Sequence, residues 1–227
     1  MSHFSKYLPT FKNQGYIHLS SEDKDINLID TFEGIGTISH IRRLAIELKK
    51  QYAPLEGHPR RNGSGKFWKG LEMASTLNPK LFEFYTSNIM FEVASTFLEM
   101  ENPFIFNDQI VVKLPNETFS FDPHFDNQFG IDPEAALRGD FKTINCCVIL
   151  TDTTLETGPL ECQNPITKEW ETIIAKSGDI IIIDGNTIHK SSKNNSDKIR
   201  ALYACVYSSA PIGIFQQGYY NERFKKT

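Results

Sequence analysis

The chain has 227 residues, 40% hydrophobic and 23% charged, with a net charge of −4. That length fits one sizeable core and is short for two, and the mild acidity offers no general nucleic-acid or anionic-membrane surface. No apolar run approaches the roughly 18 residues that span a bilayer, and the opening MSHFSKYLPTFKNQGY lacks a signal-peptide core; a soluble, cytoplasmic protein is expected.

The first elements read as helical. Residues 8–20 predict a short helix broken at Gly15, then a strand over 16–19. In 37–52, Ile38, Ile41, Leu44, Ala45, Leu48 and Tyr52 recur at helical spacing behind a Thr or Ser cap. Residues 53–70 hold Pro54, Gly57, Pro59, Gly63, Gly65 and Gly70 and predict a loop. Its GSGKF resembles a phosphate loop, but position 60 is Arg and position 67 is Phe, so the glycine and hydroxyl positions of that motif are missing. A second helix is predicted through NPKLFEFYTSNIMFEVASTFLEM, its stripe being Leu81, Phe84, Tyr85, Phe91, Ala94 and Leu98.

After Pro103 the pattern changes. FIFNDQIVVKL, FSFDPHF, INCCVILTD, DIIIID and IRALYACVYS are short, β-rich and separated by turn residues. Strands following helices, without βαβ alternation, predict an α+β chain with a mainly β sandwich or barrel core. The N-terminal helices then pack on the outside. One domain is expected over 1–227, with residues 1–102 as helical support and candidate lid and 103–210 as the barrel core. Cys146, Cys147, Cys162 and Cys205 form no CxxC pair, which disfavours a zinc knuckle. Cys146 and Cys147 sit in the apolar TINCCVIL and read as buried thiols in a reducing compartment.

The segment FDPHFDNQFG sets His124 and Asp126 two residues apart. On a strand, such residues share a face and can converge on a metal ion. Of six histidines, His3 and His58 lie in segments read as flexible, His40 on the first helix and His18 on the early strand. His189, after the apolar strand of SGDIIIIDGNTIHKSS, is the candidate third ligand. Two histidines and one carboxylate form the facial set of non-heme iron(II) oxygenases, which leaves three positions open. Zinc also accepts that set, but peptidases of that kind carry HExxH on a helix, which is absent here. Arg200 follows eleven residues after His189, beyond KSSKNNSD. A β-hairpin would return it beside the pocket, where it could grip a distal carboxylate, with the Ser191 hydroxyl assisting. Taken alone, Arg200 reads more readily as part of a cross-strand surface ion pair.

These motifs, HFD, LTDTTLETGPL, SGDIIIIDGNTIHKSS and Arg200, stand in the order and spacing of the phytanoyl-CoA dioxygenase family, which the chain resembles from FKNQGYIHL to about residue 208. The resemblance implies a double-stranded β-helix, a jelly-roll or cupin-like barrel with the metal between its sheets. It implies His124, Asp126 and His189 as iron(II) ligands and catalytic centre, and Arg200 and Ser191 as the anchor for 2-oxoglutarate. Relatives often use a polar residue on the NDQIVVK strand, so Asn107 or Gln109, and similarly Asn145, are candidate cosubstrate contacts. The implied reaction consumes O2 and 2-oxoglutarate, releases succinate and CO2, and hydroxylates a small metabolite. Desaturation, cyclisation and epimerisation use the same ligands, and a non-catalytic metal-binding barrel that senses or binds a ligand is the reading from another class. Halogenases of this kind replace the carboxylate with Gly or Ala, which Asp126 argues against. The sequence departs from the family after GPL, where ECQNPIT replaces the usual Pro-Gly-Ser-His turn. In RRNGSGKFWK, Arg60, Arg61, Lys66 and Trp68 are candidate contacts for an anionic substrate under a lid.

Overall fold

The computed structural model describes residues 2–23, 37–52, 70–129 and 132–211, with no description of the Phe129 side chain. Ten strands among them form two sheets, and every pairing is antiparallel. In chain order the strands are β1 (Tyr16–Leu19), β2 (Leu71–Glu72), β3 (Phe104–Lys113), β4 (Phe121–His124) and β5 (Thr143–Ile149). They continue with β6 (Leu160–Gln163), β7 (Trp170–Ile173), β8 (Ile180–Asp184), β9 (His189–Ser191) and β10 (Arg200–Ser208). The larger sheet runs β1-β8-β5-β10-β3-β2 and the smaller β4-β9-β6-β7. From β3 onward the chain alternates between the two sheets, apart from the β6–β7 hairpin within the smaller one, which is the winding of a double-stranded β-helix. Both β1 and β2 come from the N-terminal region and extend the larger sheet at its two edges.

The period-two alternation of the strands sorts side chains into two cores. Ile144, Cys146 and Val148 of β5, Ile180 and Ile182 of β8, and Ala201, Tyr203, Cys205 and Tyr207 of β10 face the helices. Their neighbours Cys147, Ile149, Ile181, Ile183, Leu202 and Ala204 face inward, where they meet Leu160, Cys162 and Ile173 of the smaller sheet. The IIII run of β8 is apolar throughout because both its faces are buried. Each such side chain contributes about 1.5–3 kcal/mol on burial.

Five α-helices are described: α1 (Leu8–Gln14), α2 (Ile38–Tyr52), α3 (Pro79–Tyr85), α4 (Asn88–Leu98) and α5 (Pro133–Arg138). The helix α1 ends on Gly15 in the left-handed conformation, φ 74°, as the break at that glycine predicts. One predicted helix is two. The chain stops at Thr86, whose hydroxyl donates back to the Phe82 carbonyl at 2.8 Å, and Ser87, at φ −68° and ψ 154°, opens α4. Two serine/threonine residues in a row are poor helix formers, although the Ser87 side chain makes no cap bond. The predicted stripe is otherwise buried except for Phe91, which is partly exposed. Tyr85 ties these helices to the sheet: its hydroxyl accepts the Phe106 amide at 3.0 Å and lies 2.9 Å from the Asn107 carbonyl. That contact fills the irregularity between Val206 and Tyr207 where β10 slips against β3. The predicted loop at 53–70 lies outside the described residues except for Gly70. Among the described residues no helix is long and apolar enough to cross a membrane. All four cysteines are buried and free.

Candidate metal centre and anion pocket

The HFD segment does not lie on one strand face. His124 ends β4, and Asp126 opens a 3-10 turn over Asp126–Phe129. Pro123 has no amide to give the ladder, and the β4–β9 register slips between Phe121 and His124. The turn is held from elsewhere. The Asn127 amide donates to the Gly185 carbonyl at 3.0 Å; its side chain accepts from Thr143 at 2.6 Å and donates to Asn186 at 2.9 Å. The turn still delivers the carboxylate to the histidines.

His124 and His189 are direct partners across the β4–β9 ladder, and their ring centroids stand 4.3 Å apart. Asp126 Oδ1 is 3.9 Å from His124 Nε2 and 3.6 Å from His189 Nε2. One donor atom from each of the three residues falls within 4.8 Å of the others. Backbone carbonyls set both tautomers: His124 Nδ1 donates to Asp122 at 2.6 Å, and His189 Nδ1 donates to Thr187 at 3.1 Å. Each ring therefore turns the lone pair of Nε2 toward Asp126, the form in which imidazole binds metal. The other carboxylate oxygen, Oδ2, accepts from Asn145 Nδ2 at 2.9 Å. Donors of this kind bridge to a first-row metal through bonds near 2.1 Å, so the residues fit an iron ion. Among the described residues this is the one cluster of three or more such ligands.

A second arrangement lies deeper in the barrel. Arg200 is 1% exposed, and its Nε and Nη2 have no hydrogen-bond partner. It opens β10, opposite Lys113 of β3, which is also fully buried. Lys113 Nζ donates to Ser191 Oγ at 2.8 Å and to the Ser192 carbonyl. Burial lowers the Arg200 pKa to about 10, with Cys147 acting weakly the other way; the guanidinium stays charged at neutral pH. A buried cation with orphaned N–H groups calls for an anion. The expected hairpin from His189 to Arg200 is absent, because β9 and β10 belong to different sheets. Residues 192–199 cross between them, and the Lys113–Ser191 bond closes the gap instead.

The remaining polar candidates separate. Asn107 and Asn145 both face inward, in one row with Val206 between them. Asn107 Oδ1 is buried and has no partner, whereas Asn145 is engaged by Asp126. Gln109 lies under Gly70, where an added Cβ would overlap its side chain. Cys147 sits between the two charged centres. Burial raises its thiol to about 12, Asp126 adds to that rise and Arg200 opposes it. Lys113 continues the face of Asn107 and Gln109 along β3, and only the fold shows its contact with Ser191. Arg60, Arg61, Lys66 and Trp68 lie outside the described residues. Phe121 packs beside the inner core and stands 6.0 Å from the His124 ring.

An alternately wound pair of antiparallel sheets with two histidines and a carboxylate converging between them defines a double-stranded β-helix with a facial metal centre. Residues 161–202 match the family model of phytanoyl-CoA dioxygenase (PhyH). That stretch runs from β6 to the start of β10 and includes His189, Ser191 and Arg200. The chain is PhyH-like there, as the motifs imply. A comparison with curated protein sequences finds no match. Among solved structures, the α-ketoglutarate-dependent carbocyclase SnoK from nogalamycin biosynthesis is similar, at 14% identity and TM-score 0.67, covering 96% of this chain and 92% of that one. EctD from S. alaskensis, solved with 2-oxoglutarate and 5-hydroxyectoine, gives 17% identity and TM-score 0.70 over 93% of this chain and 76% of that one. EvdO2 from Micromonospora carbonacea var. aurantiaca, complexed with 2-oxoglutarate, gives 16% identity and TM-score 0.63 over 90% of each chain. At these identities the likeness is one of fold, and it agrees with the jelly-roll expectation.

Proposed function

We propose that this chain is an iron(II)- and 2-oxoglutarate-dependent oxygenase acting on a small metabolite. The observation that carries the reading is the pairing of the two sites: a His124–Asp126–His189 ligand set beside a buried Arg200 with two orphaned N–H groups. A facial ligand set alone is compatible with zinc. A buried guanidinium placed to take a second acid group is what a dicarboxylate cosubstrate requires.

On this reading His124, Asp126 and His189 hold iron(II). Bound iron would supply O2 activation coupled to loss of CO2 from the cosubstrate, which leaves as succinate. The protein supplies placement and dryness. Arg200 grips the distal carboxylate in two-pronged fashion, and Ser191 adds its hydroxyl, held in place by Lys113. Asn107 Oδ1, buried and unpartnered, is the better placed of the two candidates on β3. Leu202, Ile149 and Phe121 line the inner core beside them and exclude water.

The finer proposal is hydroxylation of an unactivated C–H bond. Asp126 occupies the position that a halide would need, so halogenation is not expected. Residues 1–227 are proposed to form one such domain, and the four buried free thiols fit the reducing cytoplasm. An anionic, carboxylate-bearing substrate is proposed to meet Arg60, Arg61 or Lys66 and to pack on Trp68. Alanine at each cation should then raise the substrate KM and leave that for 2-oxoglutarate unchanged.

Succinate release on anaerobic loading with iron(II) and 2-oxoglutarate followed by O2, across a panel of small carboxylates, tests the class. A product heavier by one oxygen identifies hydroxylation; one lighter by two hydrogens, or of unchanged mass, identifies desaturation, cyclisation or epimerisation instead. A protein that binds metal and 2-oxoglutarate but never releases succinate would be a binding barrel.

A further inference from the structure

Asp126 differs from the two histidines in having a spare donor atom. A carboxylate can bind a metal through one oxygen or both. On a six-coordinate ion with two histidines, one-oxygen binding leaves three positions open and two-oxygen binding leaves two. What happens to the second oxygen therefore decides how many positions remain for other ligands. Here Asp126 Oδ2 is occupied by Asn145 Nδ2 at 2.9 Å, while Oδ1 is the atom turned to both histidines.

The orientation of Asn145 is itself determined. A carboxylate only accepts hydrogen bonds, so the NH2 end of the amide has to face Asp126. The oxygen end then faces Cys147, whose thiol lies 3.4 Å from Asn145 Oδ1 as donor. Asn145 and Cys147 are two apart on β5, so they share its inward face. Both are buried, and β5 is paired on both sides, by β8 and β10. The thiol, the amide and the carboxylate form one directed chain on a central strand.

We propose that Asn145, oriented by Cys147, is a positioning residue that keeps Asp126 a one-oxygen ligand and so preserves the third exchangeable position of the metal centre. The inference rests on the metal-centre reading above and extends it. It gives Asn145 a task different from direct cosubstrate contact.

The test uses cobalt(II) as a visible probe of coordination, added to the full chain freed of metal. Asn145→Ala should weaken cobalt binding about 10- to 100-fold, the usual cost of losing an outer partner of a ligand. Its d–d spectrum should also change in shape, and 2-oxoglutarate should bind the cobalt protein more weakly. Cys147→Ser keeps a donor and should retain the parent spectrum, whereas Cys147→Ala should shift toward that of Asn145→Ala. A merely structural role would lower thermal stability and leave the spectrum of the bound ion alone. A parent-like spectrum and affinity in Asn145→Ala overturn the proposal. If that variant fails to fold, identical spectra for Cys147→Ala and the parent overturn it. A parent chain that takes up no cobalt overturns the metal-centre reading as well; a parent that binds beside unaltered variants overturns this inference alone.

Discussion

Lys113 and Arg200 stand directly opposite each other in the β3–β10 ladder, and both are buried completely. Like charges placed across a ladder repel, and burial strengthens that repulsion. Lys113 directs its protons to Ser191 and Ser192, which fixes the Ser191 hydroxyl, while Nε and Nη2 of Arg200 have no partner. The pair is costly to the empty protein and favourable to an anion that enters between the sheets.

Arg200→Met should therefore separate binding from stability. A hydrogen bond to a charged group contributes about 1.5–3 kcal/mol, so 2-oxoglutarate affinity should fall about 10- to 200-fold by calorimetry. The Tm of the ligand-free protein should not fall, because an uncompensated buried charge has been removed. Ser191→Ala should cost about 1 kcal/mol of the same affinity. Unchanged 2-oxoglutarate binding in Arg200→Met would remove the anchor role.

His189→Ala should lose stoichiometric iron while keeping its fold. The ring sits on a three-residue strand between β4 and β6, and its loss leaves two ligands rather than three. Metal content of the purified variant by elemental analysis and its far-UV circular dichroism check this together. Iron retained at one per chain would place the metal elsewhere.

The ligands were legible because their chemistry is unusual in sequence: two histidines and an acid at intervals that ordinary strands do not need. Their local structure was less legible. The position of Asp126 depends on Asn127 bonding to Thr143, Gly185 and Asn186, partners far along the chain that no local pattern reveals. The strands β2, β6, β7 and β9 escaped notice for other reasons: β2, β6 and β9 are too short, at two, four and three residues, to show a period. Trp170, Glu171 and Thr172 of β7 are all exposed on an edge strand, so the alternation that marks a half-buried strand is missing. The IIII run of β8 was plain because two cores bury it. Asn145 was legible as a polar residue amid apolar ones, but only the fold shows that it meets Asp126.

Acid should weaken the protein through Asp179, away from the metal centre. Its carboxylate is buried, which by itself raises the pKa, but bonds from His18, Ser21 and Lys176 outweigh this and hold it at about 2. A folded pKa below the unfolded value of 3.8 contributes stability that is complete above pH 4 and is lost as pH falls toward 2. The contribution is on the order of 2 kcal/mol. Asp179→Asn should lower the Tm at pH 7 and flatten the decline between pH 4 and 2. A variant whose acid limb matches that of the parent would show that other carboxylates govern it.

Gly158 ties the loop after β5 to the anion pocket, and replacing it should affect both stability and binding. Its φ is +71°, and an added Cβ would overlap the Ser192 carbonyl oxygen and stand 2.5 Å from that of Lys193. These are backbone atoms and cannot turn aside. The Ser192 carbonyl is also an acceptor for Lys113, so moving it disturbs the ammonium that holds Ser191. Gly158→Ala should cost on the order of 2–3 kcal/mol from strain and displacement, or about 5–10 °C in Tm for a chain of this size. It should also weaken 2-oxoglutarate binding several-fold. Gly139→Ala is the control. Gly139 has φ +82° but nothing within 4 Å of an added Cβ, so that variant should show the smaller cost of left-handed strain alone, about 1 kcal/mol, and parent-like 2-oxoglutarate affinity. Equal effects of the two variants on affinity would break the link from Gly158 through Ser192 to Lys113.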